Sequence, residues 1–322
     1  MRSPSAEKWR PTAQIDALRA RARLLARIRE FFAHRGVLEV ETPALSVAAA
    51  TDPHLESFPF QVGGPGRRYL HTSPEFPMKR LLAAGSGPIY QLCKVFRQGE
   101  YGRYHNPEFT LLEWYRPGFD THHLMDEVEA LLQTLLDTGP AAERLSYAEA
   151  FQRHLAIDPH SADADALRAR AREAGLEGVE LGVDRDGWLD LLLTHRVEPH
   201  LGRGRPTFLY DYPASQAALA RIRPGQPAVA ERFELYLEGV ELANGFYELG
   251  DAVEQRERFA ADNAHRERLG LPVVPMDEHL LAALEAGLPD CSGVALGVDR
   301  LAMLAVDASA LEAVIAFPFA RA

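Results

Sequence analysis

Cysteine is scarce, with only Cys93 and Cys291 in 322 residues. Two thiols are too few for a disulfide framework or a thiolate metal site, so both are expected to be buried apolar fillers in a reducing compartment. No apolar run approaches the roughly 20 residues that a bilayer span needs. The N-terminal MRSPSAEKWRPT lacks the apolar segment of a secretory signal, and a cytoplasmic protein away from membranes is the expectation. Positive charge is also in deficit: 35 Lys and Arg stand against 46 Asp and Glu, leaving a net charge of −11. That balance argues against broad charge-driven binding to nucleic acid and favours encounter with a basic protein. Apolar residues are plentiful at 47%, ample for the core of one large domain or two ordinary ones.

The stretch from Ile89 to Arg116, IYQLCKVFRQGEYGRYHNPEFTLLEWYR, has the pattern of a long antiparallel hairpin. Two alternating runs, Ile89–Arg97 and Phe109–Tyr115, flank a polar loop that contains glycine. Period two places Cys93, Val95 and Arg97 on one face of the first strand, and Phe109, Leu111, Glu113 and Tyr115 on one face of the second. On such a surface Arg97 can fork onto a phosphate, Phe109 can lie against a base and Glu113 can accept from an amine. A salt-bridged surface hairpin satisfies the same pattern.

Ahead of this hairpin, Ile15–Arg35 reads as an amphipathic helix with Leu18, Leu25, Ile28 and Phe32 on one stripe, stopped by Gly36. Its arginines, Arg19, Arg21, Arg23, Arg27 and Arg29, read as a solvated face. A short strand, Val37–Val40, follows and ends at Thr42-Pro43. In YLHTSPEFPMKRLLAAG a strand, Tyr69–Thr72, leads into a helix over Met78–Ala84, and Ser73 is either its cap or a pocket residue.

Beyond the hairpin, His122–Leu136 has the spacing of a packing helix. Its adjacent histidines diverge by about 100° and cannot share a metal ion. Residues 145–200 look mostly helical and carry no readable chemistry, and Pro206–Tyr212 adds a strand. In ERFELYLEGVELANGFYELGD, Glu238-Gly239 is a two-residue hairpin turn that pairs Leu237 with Val240 and Tyr236 with Glu241. Glu234 then shares a face with Glu241, an arrangement that calls for a cation between the two. Asn244, Phe246 and Glu248 have the opposite parity to Glu241. Either a bulge at Asn244-Gly245 brings all four together, or an Asn-Gly turn ends the strand at Ala243. Helices over Ala252–Leu269 and Asp277–Ala286 come next. Last, CSGVALGVDRLAML is a glycine-rich strand running into a helix whose first turn carries Asp299 and Arg300, a suitable place for phosphate.

These blocks resemble, in order, the three motifs of the class II aminoacyl-tRNA synthetases. EFFAHRGVLEVETPAL (about 28–45) is similar to motif 1, FRQGEYGRYHNPEFTLLEWY (about 89–116) to motif 2 in its lysyl-specific form, and GVALGVDR (about 293–304) to motif 3. GVELANGFYELGDA likewise resembles a lysyl-tRNA synthetase strand that lines the pocket continuously, which favours the bulge. The resemblance runs from about Ile15 to the C-terminus and implies an α+β fold, an antiparallel sheet flanked by helices in one catalytic domain that dimerises through motif 1. It implies an ATP-dependent, magnesium-assisted ligase. Arg97 would hold the α-phosphate and Arg300 the γ-phosphate, with Phe109 stacking on adenine. Gly99, Glu100, His105, Asn106, Glu241, Leu242 and Gly297 would complete the ATP site, and Glu234 and Glu241 would bind magnesium. Ser73, Pro74, Glu75, Glu113, Tyr115, Asn244, Phe246, Glu248 and Ala295 would form an amino-acid pocket suited to two ammonium groups.

Two positions depart from the lysyl pattern. Gly99 occupies the slot where motif 2 usually has a glutamate for adenine, with Glu100 one residue late. Ala295 replaces a glycine, and its methyl would crowd an α-amino acid while tolerating a shifted amine. The resemblance does not extend to an anticodon-binding barrel. In this the sequence is similar to truncated lysyl-tRNA synthetase paralogues that attach (R)-β-lysine to a lysine of translation elongation factor P. That likeness makes a protein acceptor the expectation and tRNA an unfavoured one; tRNA charging and a non-catalytic regulatory role remain the alternatives.

Overall fold

The structure, a computed structural model, describes residues 9–61, 63, 66–176 and 184–322. Helix α1 (Ile15–Ala33) buries Leu24, Ile28, Phe31 and Phe32 and ends beside Gly36, whose φ of +64° suits a residue without Cβ. Strand β1 (Leu38–Glu39) pairs in parallel with β5 (Ile89–Phe96), which pairs antiparallel with β6 (Glu108–Pro117). β7 (Glu143–Ser146), β8 (Thr207–Pro213), β10 (Val229–Leu237), β11 (Val240–Tyr247) and β12 (Cys291–Gly297) complete a sheet in the order β1-β5-β6-β12-β11-β10-β8-β7, with β9 (Ile222–Arg223) added beside β10. Its interior pairings are antiparallel, and the parallel pairs, β1 with β5 and β7 with β8, lie at its two ends. β2 (Leu45–Ser46), β3 (Pro59–Gln61) and β4 (Arg67–Leu70) form a small separate sheet.

The two faces of the large sheet have different partners. Leu112, Trp114, Phe233, Leu235, Val294 and Leu296 point into a core shared with α1, α3 (Thr121–Leu135) and α9 (Val298–Ala305). On the opposite face, α4 (Tyr147–Leu155), α5 (Ala164–Glu173) and α6 (Arg185–Leu192) pack over β8 and β10 through Phe151, Leu167, Leu189 and Tyr236. α2 (Glu75–Ala83) covers the other end through Met78 and Leu82 against Ile89 and Tyr115. α8 (Glu278–Gly287) packs with α7 (Ala252–Arg268) around Phe259. Between these two covers the face stays open, as a cavity of about 1300 Å³.

Several expectations shift. α2 begins at Glu75, three residues before the expected Met78, because Pro74 serves as its N-cap and Pro77 is tolerated in the first turn. Arg21 is not part of a solvated face. Its guanidinium is 2.5 Å from the buried Asp299 and donates to Thr110 Oγ1, tying α1 to the start of α9. The bulge is real but lies earlier than Asn244-Gly245: Leu235 faces Ala243 and Tyr236 faces Glu241, so Leu242 is the extra residue. The strand runs straight through Asn244 and Gly245, where a Cβ would stand 2.4 Å from the Phe233 ring. Within the 145–200 block helices dominate the described part, and residues 177–183 lie outside the described residues.

Candidate active site

The β5–β6 register sets Cys93 opposite Leu111, Val95 opposite Phe109 and Gln91 opposite Glu113, the shared face that period two predicts. Arg97, just past β5, closes the turn by donating its backbone N–H to Pro107 O, and its guanidinium stands 5.0 Å over the Phe109 ring. Glu100 folds back to within 3.6 Å of Arg97, so the carboxylate displaced by Gly99 is still beside that arginine. Gly99 itself has φ +84°, a conformation that a glutamate would strain.

Arg300 projects from the first turn of α9 and donates to the backbone and carboxylate oxygens of Glu241, at 2.8 and 3.2 Å, and to Tyr104 O. His105 Nε2 is 2.8 Å from the same guanidinium. Burial and the neighbouring Arg300 lower the His105 pKa, so the neutral ring accepts there. Asn106 donates to Glu108 O and accepts from the Phe319 N–H, so both ends of its amide are engaged by backbone. Leu242 is buried in the main core, which leaves only its backbone for a ligand.

The Leu242 bulge puts Glu234, Tyr236, Glu241, Asn244 and Phe246 on one face. Arg232 and the Tyr236 hydroxyl both bond the Glu234 carboxylate, with Asn244 Nδ2 at 3.4 Å. Glu198 joins them from the segment that the sequence left silent, accepting from the Tyr236 hydroxyl at 3.2 Å. Burial and then the Glu234 charge push the Glu198 carboxyl up to about 7. Among the described residues no three acidic or histidine side chains form a ready metal cage. A pair such as Glu234 and Glu241 is the donor set magnesium uses when substrate phosphates supply further oxygens, so these residues fit that ion.

The cleft also opens on Arg97 and on Ser73, Glu75, Asn244, Phe246 and Ala295, residues of the expected amino-acid pocket. Ser73 precedes the Pro74 N-cap rather than capping α2 itself; its Oγ accepts from the Glu75 N–H and donates to Glu113 at 2.7 Å. Tyr115 donates to the other Glu113 oxygen at 2.5 Å. Glu113 and Glu248 are almost fully buried behind this opening. Burial, then repulsion from Glu75, pushes the Glu113 carboxyl up to about 8. Gly293 and Ala295 of β12 face this group: Gly293 pairs with Tyr115 and Phe246, and Ala295 with Glu113 and Asn244. A Cβ at Gly293 would stand 2.3 Å from the Tyr115 ring and 2.5 Å from Glu248 Oε1, so glycine is what lets both side chains cross the strand.

Like Glu198, another member escaped sequence reading. Lys79 is buried, its Nζ 2.7 Å from Glu75 and 2.6 Å from Glu248. The remaining thiol on the face, Cys93, is half-buried rather than a core filler, and burial pushes it up to about 12, which keeps it protonated.

Relatives place this geometry. Proteins named Elongation factor P--(R)-beta-lysine ligase from Salmonella paratyphi B, Salmonella heidelberg and Salmonella typhimurium are each 58% identical over 320 residues, covering 98% of this chain and 98% of their own length. The family described as tRNA synthetases class II (D, K and N) matches residues 6–321. With that match spanning the fold and all three motif blocks, the chain belongs to the class II tRNA synthetases of the D, K and N group.

Proposed function

We propose that this protein is an ATP-dependent ligase that activates (R)-β-lysine as an adenylate and transfers it to a lysine side chain of translation elongation factor P. The observation that carries the reading is a pocket of buried carboxylates beside an arginine-lined groove, in a chain 58% identical over 98% of its length to proteins named for that ligation. In the first half-reaction the amino-acid carboxylate attacks the α-phosphorus of ATP and pyrophosphate leaves. Arg97 takes the α-phosphate, Arg300 the γ-phosphate and Phe109 the adenine face, while Gly99, Glu100, His105, Asn106, Glu241, the Leu242 backbone and Gly297 frame the rest of the nucleotide. Magnesium on Glu234 and Glu241 would neutralise charge developing on the phosphates. The chain's own contribution is placement and fixed charge.

In the second half-reaction a neutral acceptor amine attacks the adenylate carbonyl, an amide forms and AMP leaves with the electron pair of the broken C–O bond. The sequence offers no dedicated base for this step, so the substrate or a phosphate oxygen takes the amine's proton. Net charge of −11 gives a tRNA little phosphate affinity and suits a basic acceptor loop. Dimerisation through α1 and β1 belongs to the same reading, supported by Leu38, which is 56% exposed on the short strand at the sheet's end. Mass spectrometry of elongation factor P incubated with enzyme, ATP and (R)-β-lysine should show the mass of one added β-lysyl group. An unchanged factor together with efficient charging of tRNA would refute the proposal.

A further inference from the structure

This chain overwhelmingly uses arginine as its cation: of 35 basic residues only Lys8, Lys79 and Lys94 are lysines. Lys79 is also the only one of the three to be deeply buried among the described residues, at 1% exposure. Met78, Leu82, Ile89, Tyr115 and Cys291 form the apolar cluster at this end of the site face. Within it one nitrogen lies 2.7 Å from Glu75 and 2.6 Å from Glu248. Two carboxylates converging on one atom is the geometry of a compact point charge, and a planar guanidinium would need a wider gap.

We propose that Lys79 is a positioning residue that sets the charge of the amino-acid pocket, cancelling one of the carboxylates Glu75, Glu113 and Glu248 and leaving two negative charges for a substrate with two ammonium groups. This deepens the function proposed above and rests on it. The titratable groups facing the cluster are Glu75 from α2, Glu113 and Tyr115 from β6, Glu248 after β11, Cys291 from β12 and Cys93 from β5. Tyr115 and both thiols are held neutral by burial, which raises their pKa values. Burial works against charge on Lys79, but Glu248 and Glu75 outweigh it and hold the ammonium protonated. The charge of the empty pocket therefore depends on the carboxyls. Burial pushes Glu248 up to about 7, with Lys79 opposing and Glu75 adding to that shift, and Glu113 lies at about 8. A diammonium substrate drives these protons out, so its binding strengthens as pH rises through that range.

The test compares Lys79→Met, Glu248→Gln and the double variant in (R)-β-lysine-dependent ATP–pyrophosphate exchange. Lys79→Met should raise KM for β-lysine at least tenfold at pH 7, change kcat by less than threefold, and move the pH at which KM levels off upward by about one unit. Glu248→Gln alone leaves one net negative charge in the pocket, and adding Lys79→Met restores two. The double variant should accordingly bind β-lysine at least fivefold better than Glu248→Gln, and it is expected to fold even if the lone Lys79→Met does not, because it removes the fully buried Glu248 carboxylate that Lys79→Met strands, leaving only the partly exposed Glu75 without its partner. A lysine serving packing alone cannot produce that reversal. A double variant no better than Glu248→Gln overturns the inference, as does a folded Lys79→Met with wild-type KM and pH profile. If the wild-type protein exchanges pyrophosphate with no diammonium amino acid, the failure lies with the proposed function instead.

Discussion

Arg97 touches three parts of the site at once, standing over Phe109, near Glu100 and bonded through Nε to Thr72 O. On the proposed function, truncating it removes a fixed positive charge from the place where the α-phosphate would gather charge in the transition state. Arg97→Ala is expected to lower β-lysine-dependent pyrophosphate exchange by about 10²-fold or more, the usual effect of losing such a group, with an unchanged circular dichroism spectrum. Ala295 is the opposite kind of residue, a single methyl between Glu113 and Asn244. Ala295→Gly should shift the kcat/KM ratio of β-lysine to α-lysine towards α-lysine by roughly tenfold, the scale of one methyl in a shaped pocket; an unchanged ratio would show that selectivity lies elsewhere. At this scale the sequence was readable where side chains obey a strand's period, as with Glu113 and Phe109. Lys79 was not, because a Glu75–Lys79 pair at i,i+4 on a helix has the same spelling on a surface as in a core. Glu198 was hidden for another reason: it reaches the site only through Tyr236, a contact between distant segments.

Elements were more legible than their irregularities. The Glu238-Gly239 turn, with φ of +53° and +73°, fixes the β10–β11 register as expected, since a two-residue turn admits few alternatives. Parity allowed either a bulge at Asn244-Gly245 or an end to the strand there, and it carries no information about where the ladder slips; the slip falls at Leu242, whose side chain enters the main cluster. Arg19, Arg23, Arg27 and Arg29 are exposed as the solvated-face reading expects, but Arg21 departs from it because charge spelling cannot reveal that Asp299, also accepting from the Thr110 N–H, waits for it. At Gly293, β12 leaves no room for an added atom. Gly293→Ala should cost about 1–3 kcal/mol by overpacking, measured by denaturant unfolding, and raise KM for β-lysine because Tyr115 or Glu248 must move. A variant with wild-type stability and KM would mean that the Tyr115 ring shifts freely.

Over the whole molecule, acidity and substrate are linked. Glu113 and Glu248 have pKa values raised from 4.5 to about 8 and about 7, burial being the first cause for both. Groups raised in this way bind protons more tightly folded than unfolded. Their contribution to stability is therefore full below the unfolded carboxyl value and is lost as pH climbs towards 8. A bound diammonium amino acid supplies the missing positive charge, so the rise in melting temperature on adding saturating β-lysine should be larger at pH 8 than at pH 6. Equal shifts at both values would show that these carboxyls do not titrate with binding.

The order of the sheet also governs how the molecule can come into being. β12 spans residues 291–297 yet occupies the place between β6 and β11, pairing with both. As the chain leaves the ribosome, two blocks of strands must hold a vacant slot until almost the last segment arrives. Until then, β6 and β11 each present an unpaired edge that invites strands of other chains. A polypeptide halted before Cys291 is thus a candidate for aggregation rather than for partial activity, because the β6 and β11 sides of the proposed site are joined only when β12 slides in.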